Sequence, residues 1–187
     1  MNSNFSVENL EIEGLKIITP FYAEDERGYF LKDFERNVYK SFGLENVLSE
    51  SIFSKSKKGV IRGLHFQTSC PQIKFLTAIQ GEVMDVVVDL RRNSDTFGMW
   101  KAVILSEDNH KIFCVPAGFA HGYQVLSDGA LVAYKCIGDY DIKTDSGIMY
   151  NDEELGIRWS DDHEVIVSQK DKNLMTFDKF KSTYGGL

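Results

Sequence analysis

The sequence has little with which to build a disulfide framework, a membrane span or a nucleic-acid groove. Its three cysteines, Cys70, Cys114 and Cys136, are odd in number and widely spaced, matching neither a disulfide scaffold nor a zinc motif. They are expected to be buried, reduced thiols of a cytoplasmic protein. No apolar run is long enough to span a bilayer, and the stretch holding Glu8, Glu11 and Glu13 has the features of neither a signal peptide nor a transit peptide. Basic residues number 21 against 28 acidic ones, for a net charge of -7. Such a chain lacks the broad positive field that binding a nucleic acid requires, although a few local cations suffice for a small anionic ligand. Internal repeats, low-complexity tracts and linkers are missing too, so residues 1–187 are expected to form one domain.

What the chain does have is alternation. From Ile52 to Ile137 apolar residues recur with period two or in short runs, broken by turn residues, which is the pattern of an all-β sandwich or barrel. Phe75 to Gln80 reads as a strand, Gly81-Glu82 as a tight turn and Val83 to Leu90 as its hairpin partner. In that partner Met84, Val86 and Val88 share one face, and Asp85, Val87 and Asp89 the other, partly polar one. Further strands are predicted at Lys101 to Leu105, Lys111 to Val115, Gly122 to Leu126 and Leu131 to Ile137, a spacing that suits a double-sheet jelly roll. Leu15 to Phe21 and Gly28 to Asp33 also read as strands and Glu35 to Phe42 as one short helix. After Asn151, Leu155 to Trp159 and Glu164 to Val167 are expected to be extended, followed by a polar segment.

Acid-base residues collect in four segments: Arg62-Gly63-Leu64-His65-Phe66-Gln67, Pro116 to Gly122 with His121, Tyr134-Lys135, and Ser168-Gln169-Lys170-Asp171. Either histidine alone reads as well as a hydrogen-bonded core residue. Two in one β-fold suggest a metal centre or a proton-transfer site. A His-bearing strand followed by a Pro-x-Gly-x-x-His turn resembles the cupin superfamily, implying a cupin-like double-sheet jelly roll with short peripheral helices. Metal-binding cupins carry His-x-His and then a carboxylate; here Gln67 stands two residues after His65, and Gln72 and Lys74 follow. A lysine there would repel a divalent ion, which argues against a metal.

The ordered series Gly59 to Gln67, Pro71-Gln72-Ile73-Lys74, Gly81 to Arg91, Ser94 to Gly98, Val115 to Gly122 and Leu155 to Trp159 resembles dTDP-4-dehydrorhamnose 3,5-epimerase and its relatives over nearly the whole chain. The resemblance implies metal-free, cofactor-independent epimerisation of a nucleotide-diphosphate-linked 4-keto-6-deoxy sugar in deoxysugar biosynthesis. It makes His65 the base, Asp171 the carboxylate that orients and charges it, Lys74 the cation beside the C4 oxygen and Tyr134 the acid on the opposite face. It places Arg62, Gln67 and His121 around the substrate, with Arg62 suited to the diphosphate, and Tyr140 against the base. It further implies a homodimer in which the segment holding Arg27 and Phe30 reaches the neighbouring subunit's site. An exposed arginine, a surface lysine or a core aromatic is the plain structural reading of the same residues.

The chain departs from that family in two places. Lys32 stands where relatives usually have a glutamate, and Glu50-Ser51-Ile52 where they usually read Gln-x-Asn. Charge reversal and loss of an amide are expected to alter how the nucleotide or sugar is read, which keeps CDP- and GDP-linked sugars open. A sugar 3,4-ketoisomerase and a non-catalytic sugar-nucleotide binder are the competing readings.

Overall fold

The computed structural model describes residues 5–41, 43 and 48–187. Its strands are β1 (Ser6–Asn9), β2 (Lys16–Thr19), β3 (Phe21–Asp25), β4 (Gly28–Lys32), β5 (Glu50–Lys57), β6 (Val60–Gln67), β7 (Ile73–Gln80), β8 (Glu82–Asp89), β9 (Trp100–Ser106), β10 (Ile112–Val115), β11 (Phe119–Val125), β12 (Gly129–Ile137), β13 (Asp145–Gly147) and β14 (Ile166–Val167). The helices are α1 (Arg36–Ser41), α2 (Gln169–Lys172) and α3 (Phe177–Tyr184). One six-stranded sheet runs β1-β2-β10-β7-β12-β5, and the other runs β13-β6-β11-β8-β9 with β14 added beside β6. This is the cupin-like jelly roll, with β3 and β4 forming a separate hairpin.

Three apolar layers hold it together. Leu76, Phe113 and Val132 of the first sheet meet Val83, Val87 and Tyr123 of the second between the sheets. Behind the second sheet, Leu64, Phe66, Val86 and Val88 are covered by Phe177 and Phe180 of α3, with Phe66 set edge-on to Phe180. Behind the first, Ile18, Phe75 and Ile112 are covered by Tyr39 of α1.

The structure corrects four local readings. β7 and β8 are not hairpin partners: β7 pairs with β10 and β12, and β8 with β9 and β11, so the chain crosses between sheets at Gly81. That glycine has φ +74°, and an added Cβ would stand 2.1 Å from the Gly129 carbonyl, so the crossing needs its bare backbone. Both faces of β8 are buried, one under α3 and one between the sheets. The strand expected over Leu15 to Phe21 breaks at Pro20, which has no N–H for a ladder, and its halves β2 and β3 join different sheets. Leu155 to Trp159 forms no strand: the Asp152 carboxylate accepts from the N–H groups of Glu154 and Leu155 and turns the chain there. The polar segment after Val167 contains two helices, and α3 carries a legible stripe, Phe177, Phe180 and Tyr184, between the Thr176 N-cap and Gly185. The helix expected over Glu35 to Phe42 is α1; Phe42 lies outside the described residues.

Asp85 and Asp89 of β8 are buried with partners. Asp89 accepts bonds from the Arg91 guanidinium and N–H, Ser94 Oγ and Thr96 Oγ1. Burial alone would raise its carboxyl, but these donors outweigh it and hold the group down to about 2. The Ser94 to Gly98 run thus serves as the anchor of the β8–β9 connection.

Candidate active site

A cavity of about 360 Å³ lies between the sheets. Strand periodicity selects its walls: Glu50, Ile52 and Ser54 alternate along β5, Tyr134 and Cys136 along β12, and Gln72 and Lys74 precede and enter β7. The second sheet supplies Arg62 and His65 from β6 and His121 and Gly122 from β11. A Cβ on Gly122 would sit 2.5 Å from the Arg62 carbonyl, so glycine lets β6 and β11 approach beneath the two histidines. Those histidines face each other in the β6–β11 register.

His65 Nε2 lies 2.8 Å from Asp171 Oδ1. Asp171 is buried; its second oxygen accepts the Gly63 N–H at 3.2 Å, and its own N–H donates to Ser168 Oγ, the N-cap of α2. Burial opposes the carboxylate, yet the bonds with His65, the Gly63 N–H and Ser168 keep its pKa below the ordinary aspartate value. A charged Asp171 accepts the hydrogen bond of Nε2–H, which keeps the proton on Nε2 and leaves the lone pair on Nδ1.

Across the cavity Tyr134 is partly buried, and its ring meets the His121 ring edge-to-face at 6.0 Å. Desolvation, with the neighbouring Tyr123 and Asp85, holds its phenol well above the usual value, so it is a protonated group. His121 Nε2 is bonded to both oxygens of fully buried Asp85, at 2.9 and 3.0 Å, and burial raises the Asp85 carboxyl. Lys74 lines the cavity, and burial lowers its pKa. Neither Lys74 nor Arg62 forms an ion pair among the described residues; Arg62 Nε donates to Ser56 Oγ at 3.0 Å.

Of the ten residues singled out in the sequence, the cavity therefore gathers Arg62, His65, Lys74, His121, Tyr134 and Tyr140, with Asp171 directly behind His65. Gln67 is not on the wall. Its amide donates to the Cys70 and Asp139 carbonyls and accepts the Asp141 N–H, fixing the loop that carries Tyr140. Arg27 and Phe30 sit exposed on the β3–β4 hairpin, outside this cavity, with Arg27 paired to Asp25.

Other wall residues carry no assigned role in the sequence reading. Lys170 bonds Asp145 at 2.6 Å at the rim, beside half-exposed Tyr140. Lys170 adjoins Asp171 in sequence, and Gln72 shares the Lys74 face by period two; Asp145 has no such signal. Glu50 accepts from Gln72 Nε2 and the Tyr140 N–H, each at 3.2 Å, and Ile52 adds an apolar wall. Lys32, the other departure, instead pairs with Glu35 at 2.9 Å and does not line the cavity. Among the described residues no group of three or more His, Cys, Asp or Glu is placed to hold a metal ion, and no helix is long and apolar enough to cross a membrane.

Comparison with known proteins gives the family. The profile of the family described as dTDP-4-dehydrorhamnose 3,5-epimerase matches residues 9–179. A dTDP-4-dehydrorhamnose 3,5-epimerase of Methanothermobacter thermautotrophicus is 43% identical over 91% of this chain and 94% of its own. The crystal structure of a dTDP-6-deoxy-D-glucose-3,5-epimerase from Legionella pneumophila with dTDP-4-keto-L-rhamnose superposes with a TM-score of 0.91 at 41% identity, covering 94% of each chain. A 3'-monoepimerase from Streptomyces bikiniensis with dTDP-quinovose gives 0.86 at 30% identity, over 92% of this chain and 88% of that one. The protein is thus a jelly-roll isomerase acting on sugar nucleotides. It belongs to the dTDP-4-dehydrorhamnose 3,5-epimerase family.

Proposed function

We propose that this enzyme inverts C3, C5 or both in a dTDP-linked 4-keto-6-deoxy sugar, with His65 as base and Tyr134 as acid. The observation that carries the reading is their placement: a carboxylate-backed imidazole and a partly buried, protonated phenol on the wall of one cavity. The C4 ketone acidifies the hydrogens on C3 and C5. His65 Nδ1 takes one of them, the electron pair moves onto O4 as an enolate, and Lys74 stabilises that charge. Tyr134 then gives its proton to the opposite face of the carbon, and the ketone re-forms. Lys74 meets the negative charge, so these steps call on no metal and no cofactor.

Arg62, in no ion pair among the described residues, supplies a planar guanidinium for the diphosphate and Tyr140 a half-exposed ring for the base. One observation favours a different nucleotide. The Glu50 carboxylate would repel an anion and accept from a donor, and Ile52 offers no hydrogen bond, so this wall suits a ligand that presents an amine or hydroxyl. A CDP- or GDP-linked sugar is the corresponding substrate.

Proton NMR in deuterium oxide with dTDP-, CDP- and GDP-linked 4-keto-6-deoxy sugars tests the reaction and the donor together. Deuterium is expected at C3 or C5, with inversion, for one nucleotide. A 3-keto product would make the protein a ketoisomerase, and no exchange with any donor would leave it a binder. The homodimer belongs to the same reading, because Arg27 and Phe30 can serve only a neighbour's cavity from their exposed hairpin. A monomer in light scattering at micromolar concentration would remove both from the site.

A further inference from the structure

Behind the Tyr134 phenol the barrel interior holds a run of hydroxyl groups in otherwise apolar surroundings. Tyr123 on β11 is 1% exposed and packs among Leu76, Val87 and Val132. Its hydroxyl lies 2.9 Å from Ser54 Oγ and 3.1 Å from Ser56 Oγ, and Tyr134 packs against the same cluster. Ser56 Oγ accepts from Arg62 Nε, and Ser54 lines the cavity. A phenol buried in such a core has to be satisfied somewhere. Here its partners lead from the neighbour of Tyr134 to the cavity wall at Ser54 and, through Ser56, to a guanidinium.

We propose that Tyr123, with Ser54 and Ser56, is the relay that returns a proton to Tyr134 after turnover and disperses the charge of its phenolate. The inference rests on the reading of Tyr134 as the acid. When the Tyr134 O–H bond breaks and the new C–H bond forms, the phenolate takes a proton from Tyr123, Tyr123 takes one from Ser54, and Ser54 takes one from water in the cavity. The shift is concerted, so no serine alkoxide forms. The hydroxide left in the cavity is neutralised by the proton that His65 releases, and the cycle closes without net gain of protons. Arg62 acts through Ser56 as the fixed positive end of the network. Tyr123 touches no substrate and is a positioning residue.

Two rates separate this role from a structural one: solvent deuterium entry without inversion, which reports abstraction and return on the His65 face, and net inversion, which needs Tyr134. Tyr123→Phe removes one hydroxyl and keeps the ring. It is expected to lower net inversion about tenfold, the value of one hydrogen bond to a charged group, with exchange and KM within twofold of wild type. If Tyr123→Phe fails to fold, the Ser54→Ala/Ser56→Ala double variant leaves the phenol in place without its onward partners, and the same change in the ratio is expected. An unchanged ratio of exchange to inversion, or a parallel fall in both, overturns the relay while leaving Tyr134 as the acid. Full inversion by Tyr134→Phe overturns the acid assignment, and the relay with it.

Discussion

His65→Asn is expected to abolish deuterium entry at C3 and C5 while leaving the protein folded. Asparagine approximates the imidazole in size, and its amide N–H can still donate to Asp171, so the dyad's structural bond survives while the Nδ1 lone pair is lost. A positioned general base is worth about 10² to 10⁴ in rate. With no second unbonded imidazole in the cavity, the upper part of that range is expected, since Asp85 already holds His121. The check is exchange by NMR beside thermal melting of the same preparation. Retained exchange in a folded variant would move the base elsewhere. Asp171→Asn is the useful companion, because it keeps the contact and removes the charge that sets the tautomer.

Lys74→Met is expected to lower kcat by about 10² to 10³, the value of one preorganised donor to a developing oxyanion, with a smaller change in KM. Burial of an ammonium without an ion-pair partner costs stability, so the apolar variant should melt at or above the wild-type temperature. Loss of rate with gain of stability separates this residue from an ordinary core lysine. The pH dependence has a definite sign. Stabilisation of the enolate is present while Lys74 is protonated and is lost as pH rises through its pKa. Because burial lowers that pKa, the alkaline fall in kcat should begin below the range of an exposed lysine. Lys74→Arg keeps its charge at all accessible pH and should flatten that limb even where it costs rate. An alkaline limb unchanged in Lys74→Arg would assign it to another group.

The sequence shows the sandwich clearly because period-two alternation is a property of side chains. Which strands share hydrogen bonds is a property of the backbone, and it leaves no comparable mark. β7 and β8 read as a hairpin for that reason, although Gly81 carries the chain from one sheet to the other. The α3 helix had a readable stripe that the charged residues between its aromatics obscured. For the site, His65, Lys74, Tyr134 and Asp171 were legible only as a set, through the ordered motifs around them. The bonded pair His121 and Asp85 was half visible: His121 stood in a motif, whereas Asp85 looked like one more outward polar residue of a strand until the second sheet turned out to be covered on both sides. Gln67 shared the β6 motif with Arg62 and His65, but its amide is spent on the 139–141 loop, a contact between segments more than seventy residues apart.

The proposed base and its carboxylate come from segments 106 positions apart in the chain. Asp171 rides on a segment held to β6 by the short parallel pairing of β14, by the Gly63 N–H and by a bridge from Met175 to Ile148. The barrel core does not include this segment, so the two can open on different free energies. Observed turnover is then the intrinsic rate multiplied by the fraction of molecules in which the segment is seated. Warming, or any sequence change along β14 and α2, would throttle the enzyme through that fraction alone, with the barrel intact and the cavity still able to take its ligand.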